Sequence, residues 1–135
     1  MANVVKVAGY ILIKVQETTA MKLQKLVYYC QAWHLAWTEQ PLFEEKIEAW
    51  RNGPTVPILF QLHKGHFKLK KGFFDALDDN NARLSPQEMD TINRVLEFYS
   101  PKDPHWLTRL TENCRLVILE RNGLMARALP GGMPF

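Results

Sequence analysis

Residues 20–38 read AMKLQKLVYYCQAWHLAWT, and the spacing of their apolar side chains decides the fold. Leu23, Leu26, Val27, Cys30, His34 and Trp37 recur on one face of a helix. Tyr29 and Trp33 line one flank and Tyr28 and Leu35 the other, so little of the circumference is polar. That is the pattern of a central helix packed on several sides, with the rest of the chain wrapped around it. The longest stretch without a formal charge, Leu26 to Thr38, covers thirteen residues, short of the ~20 apolar residues a membrane span takes.

Upstream, Val4, Val7, Ala8, Ile11 and Val15 recur at helical spacing behind Asn3, a good N-cap, which predicts a first amphipathic helix over residues 3–16. Glu17 to Thr19 reads as a polar break. Downstream, PLFEEKIEAWRNGPTVP alternates Ile47, Ala49 and Arg51 with Lys46, Glu48 and Trp50, a pattern shared by a helical turn and a short strand. Gly53 and Pro54 then read as a rigid turn. Pro57 suits a first helical residue, and Ile58, Leu59 and Leu62 predict a short third helix ending near Gly65. From His66 to Arg83 no clear period appears. The expectation is a long mobile loop with one strand near Phe67 to Leu69.

Ser85, Pro86, Gln87 and Glu88 form a capping box with proline at the first helical position, and Met89, Ile92, Leu96 and Tyr99 follow at helical spacing, predicting a helix over 86–99. Asp103 and Pro104 repeat the start signal for a short helix through Trp106, Leu107 and Leu110. Leu116 to Leu119 extends a last helix to about Asn122, and Gly123 would end it. The expected architecture is mainly α: a single compact domain over residues 1–129 around an aromatic-rich central helix, with at most a short β element and a flexible tail at 130–135.

The 135 residues are 47% apolar and 23% charged, enough for one core without metal or disulfide staples. Seventeen Lys and Arg against fourteen Asp and Glu leave +3, a mild bias toward acidic partners and well short of the basic balance of nucleic-acid domains. MANVVKVAGYILIKV leads to no small-residue cleavage site, so a cytoplasmic chain is expected. In that reducing setting Cys30 and Cys114 read as lone thiols.

Chemistry-bearing motifs are sparse. His63 and His66 sit beside lysines without further ligands at metal spacing, and solvent-exposed histidines are the plainer reading. His34 reads as a buried neutral imidazole bonded to a neighbour, and Cys30 as an inert buried thiol. The paired carboxylates Glu44 and Glu45, and Asp78 and Asp79, fall in polar stretches. No catalytic residue, cofactor site or metal site is expected, and hence no enzyme. HKGHFKLKK, with Lys64, Lys68, Lys70 and Lys71, suits a small phosphate-contacting patch, but three aspartates follow in DALDD and a solvated loop is the plainer reading.

The strings KLQKLVYYCQAWHLAW and PLFEEKIEAWRNGPTVP resemble the signature of the Panacea domain, the SocA-like antitoxin family that includes phage-associated GepA proteins. Leu23, Leu26, Tyr28, Trp33, His34, Trp50, Gly53 and Pro54 carry the resemblance, with structural roles expected for them. LSPQEMDTINRVLEFY and DPHWLTRLT look like the family's later helices, whereas Glu112 stands where relatives carry histidine. The resemblance implies an antitoxin of a type II toxin-antitoxin module that neutralises a cognate protein toxin by direct binding, in the SocA case by delivering it to a cellular protease. The rival is a small prophage-associated nucleic-acid-binding or regulatory protein. The expected partner surface is the flank carrying Lys22, Lys25 and Tyr29, together with Lys68, Lys70 and Lys71.

Overall fold

The computed structural model describes residues 2–50, 53–77 and 83–101. In chain order these form helix α1 (Val4–Val15), strand β1 (Glu17–Thr19), helix α2 (Ala20–Thr38), strands β2 (Glu48–Trp50) and β3 (Gly53–Thr55), helix α3 (Pro57–His63), strand β4 (Lys68–Lys70), a 3₁₀ turn (Asp75–Leu77) and helix α4 (Pro86–Tyr99). The architecture is mainly α, as the apolar periodicity predicts. The short helix expected after Pro104, the one expected to end at Asn122, and the tail at 130–135 lie outside the described residues.

The helix starts follow their sequence signals. Asn3 Oδ1 accepts from the Lys6 N–H at 2.8 Å and Thr19 Oγ1 from the Lys22 N–H at 3.1 Å. Ser85 and Glu88 exchange both bonds of the capping box, at 3.2 and 2.8 Å. Each satisfies donors that a helix N-terminus otherwise leaves open. Helix α2 ends where Glu39 turns left-handed, at φ 60°, and returns its N–H to the Leu35 carbonyl.

Helix α2 occupies the centre. Leu23, Leu26, Val27, Tyr28, Tyr29, Cys30 and Trp33 are all buried. Against one side lies α4, through Ile92, Val95 and Tyr99. Tyr29 and Tyr99 stack with centroids 4.0 Å apart, Trp33 Nε1 donates to the Tyr99 hydroxyl at 3.1 Å, and His34 Nδ1 lies 2.8 Å from Thr91 Oγ1. Such aromatic pairs add to the area they bury. Helix α1 contributes Val4, Val7, Ala8, Ile11 and Leu12 to the same core.

Two small antiparallel sheets flank the helices. Strand β1 pairs with β4 in the register Glu17↔Lys70, Thr18↔Leu69, Thr19↔Lys68, and β2 with β3 in the register Glu48↔Thr55, Ala49↔Pro54, Trp50↔Gly53. Three expectations change here. The polar break at 17–19 is a strand. Gly53 and Pro54 open β3 instead of forming the turn, and Pro54 is tolerated because each strand of a two-stranded ribbon has an outer side with no ladder to interrupt. The segment after His66 is tied down through residue 77: the Ala20 N–H donates to the Phe67 carbonyl at 2.9 Å, the Lys71 N–H to the Gln16 carbonyl at 2.8 Å, and Phe74 is buried. Among the described residues no helix is long and apolar enough to cross a membrane.

Candidate functional site

On the side of α2 turned away from Tyr29 and Trp33, the core is closed by polar side chains. Gln24 and Gln31 sit two helical turns apart and therefore on one face. Gln24 Oε1 accepts from the Val56 N–H at 2.8 Å while its Nε2 donates to the Val56 carbonyl at 3.3 Å. Gln31 repeats the device: Oε1 accepts from the Leu42 N–H at 2.6 Å and Nε2 donates to the Phe43 carbonyl at 2.8 Å. Each amide offers one acceptor and one donor, as a backbone peptide does, so two glutamines hold two irregular segments against the helix as a neighbouring strand would.

The second hydrogen of the Gln24 amide points to His63 Nε2, 2.9 Å away. That contact needs an accepting nitrogen, which fixes His63 as a neutral imidazole. Burial, opposed only in part by other contacts, holds its pKa below the ordinary value, and desolvation likewise lowers that of His34 against the opposing charge of Glu88.

Around this bond lies a cleft of about 280 Å³ between the start of α2, the β2–β3 ribbon and the end of α3. Its aromatic wall is continuous: Trp50 meets Phe60 edge-on at 5.0 Å, and Phe60 meets His63 edge-on at 5.6 Å. Met21 and Trp50, 45% and 37% exposed, form the open apolar part, and Lys64 and His66 stand exposed at its mouth. The Trp50 indole N–H donates to Glu48 at 2.8 Å, and Lys46 lies 3.3 Å from the same carboxylate; together, the indole bond foremost, they lower its pKa.

The expected partner surface is corrected in two places. Tyr29 is fully buried in its stack with Tyr99, and Lys25 is 2% exposed, because α2 is enclosed on every side along this length. Lys22 is half-buried, with its ammonium donating to the Ser100 carbonyl. Lys68, Lys70 and Lys71 are exposed as expected, Lys70 within 4.0 Å of Glu17. His63, expected in solvent, is buried. His34 is buried and bonded to a neighbour as its place on the stripe implies. Cys30 is a free buried thiol whose pKa burial drives far up. Among the described residues no group of His, Cys, Asp and Glu is placed to hold a metal. Glu112 and Cys114 lie outside the described residues.

Fold and cleft together define a class: a mainly helical domain built on one buried helix, with an aromatic, basic-rimmed groove at that helix's start. Within that class, residues 23–115 match the antitoxin SocA-like, Panacea domain, and the chain belongs to this family. The matched span begins inside α2 and runs past α4, so it takes in both glutamines, the β2–β3 ribbon and the lining of the cleft apart from Ala20 and Met21. No curated protein and no solved structure matches the chain.

Proposed function

We propose that this protein is the antitoxin of a toxin-antitoxin pair, neutralising a protein toxin in the cytoplasm by direct contact and without catalysing a reaction. The observation that carries this reading is the open aromatic cleft beside Met21 and Trp50 in a chain of an antitoxin family. Concave surfaces with an exposed aromatic anchor suit protein partners, whose binding energy gathers in a few such residues. The toxin is then held inactive, and delivery to a cellular protease is the second route by which binding removes it.

Co-expression tests the reading. The product of the adjacent gene, induced alone, should arrest growth, and this protein should relieve the arrest. A toxin half-life that shortens when this protein is present separates delivery to a protease from simple blocking. Normal growth without this protein, or arrest that it fails to relieve, removes the antitoxin role. The alternative, a prophage-associated regulator, draws on the exposure of Lys64, Lys68, Lys70 and Lys71 around Phe67, itself 75% exposed. A salt-dependent gel shift with nucleic acid would favour it.

A further inference from the structure

We infer that the cleft takes a short acidic segment of the toxin bearing one aromatic or large aliphatic side chain, with that side chain between Met21, Trp50 and Phe60 and the flanking carboxylates against Lys64, His66 and Lys68. This rests on the antitoxin reading and adds the chemistry of the bound segment.

Three observations converge on that occupant. The first is size. About 280 Å³ lies at the lower edge of the ~300–1,000 Å³ of small-ligand pockets, room for an anchoring side chain and too little for a folded element. The second is where the apolar surface lies. Of the large hydrophobic side chains left exposed among the described residues, Met21 and Trp50 line the cleft and Phe67 follows directly after His66 at its mouth. An aromatic wall with one open side favours an apolar anchor, and desolvated pockets of this kind hold the strongest contacts of an interface.

The third is charge. From Lys64 to Lys71 the chain carries four lysines and no acid, and no carboxylate is among the described lining residues. The nearby Glu48 is already engaged by Lys46 and the Trp50 indole. The floor is different, because His63 there accepts from Gln24 and is neutral. A carboxylate carried into the floor would lose its water without gaining a cation from His63, and Lys25, which also lines the cleft, is buried and already engaged, whereas at the rim it meets exposed ammonium groups in solvent. The anchor therefore goes in and the acids stay at the mouth. A nucleic-acid strand fits less well, since Trp50, Phe60 and His63 form a recess and Phe67 alone stands open for stacking at its mouth.

The test uses the full chain and the purified product of the adjacent gene, titrated at low and high salt. Trp50→Ala should weaken binding at least tenfold. Lys64→Glu combined with Lys68→Glu should do the same and should flatten the salt dependence. Trp50→Phe should recover part of the loss, and Ile13→Ala, on exposed α1 surface, should change nothing. Circular dichroism checks each fold, and if Trp50→Ala fails it, the lysine pair decides, because both lysines stand in solvent. Binding of the wild type with both variants within twofold of it overturns the proposal and leaves the antitoxin reading intact. No binding by the wild type overturns both. Binding that disappears on nuclease treatment overturns it in favour of nucleic acid.

Discussion

The two sides of α2 are built from different chemistry. Toward α4 the contact is aromatic and closed: Tyr29 on Tyr99, Trp33 bonded to the Tyr99 hydroxyl, His34 to Thr91. Toward the β2–β3 ribbon and α3 it is made by side-chain amides gripping backbone, and it stops short of closure, leaving the cleft. The first side obtains its stability from buried area. The second holds irregular chain in place with few atoms, which keeps Trp50 and Met21 at the surface. One helix thus serves as the core on one side and as the back wall of an open cleft on the other.

The largest break in this contrast should come from the aromatic side. Trp33→Ala should cost about 3–5 kcal/mol, and Leu26→Ala about 2–5 kcal/mol, as measured by chemical denaturation. A loss under about 1 kcal/mol from either would show that the closed side is not the core. On the amide side, Gln24→Ala strands the Val56 N–H and carbonyl and the His63 acceptor, and about 1–3 kcal/mol is expected to go. If Gln24→Ala proves neutral, the ribbon is held by packing alone and the two sides differ less than their chemistry suggests.

Acid sharpens the contrast further. His34 and His63 have folded pKa values below the ordinary 6.5, so below that pH the unfolded chain binds protons that the folded chain refuses. Stability should hold level above about pH 6.5 and fall as pH drops from there through the folded values. Thermal melts between neutrality and the carboxylate range would follow it. His63→Gln should remove part of the slope, and a slope unchanged in that variant would clear His63 of any role. The smallest effect is expected at the cleft surface: Trp50→Ala should alter stability by less than about 1 kcal/mol, because the ring is partly in solvent, while it weakens binding.

The elements that read clearly in the sequence are those whose own period dictates them. The apolar stripe of α2 and the capping box of α4 are local, and both helices lie where the residues put them. Strands β1 and β2 are three residues long, too short for an alternation to register, and β1 exists because a segment some fifty residues later pairs with it. Burial of Lys25 and Tyr29 was illegible for a related reason: a helix face is exposed or covered according to what the rest of the chain brings to it. His63 shows the same dependence, since its partner is on α2. The cleft joins residues near 21, 50, 60 and 66, and no local pattern announces such a meeting. One signal was available: Gln24 and Gln31, seven apart on a largely apolar helix, are spaced as a pair of buried clamps would be.

Loop entropy favours an order of closure for those clamps. Gln31 joins residues 12 apart in the chain and Gln24 residues 32 apart, and the β1–β4 pairing spans the longest interval of the three. The three closures are nested, and closing a loop costs entropy that grows with the free length still to be gathered in. Once the inner clamp has formed, the next has less slack to take up, and the ribbon that both tether brings β4 within reach of β1. On this ground the three closures run from the end of α2 back toward its beginning, like a zip, and the cleft is gathered in only after the inner clamp has formed.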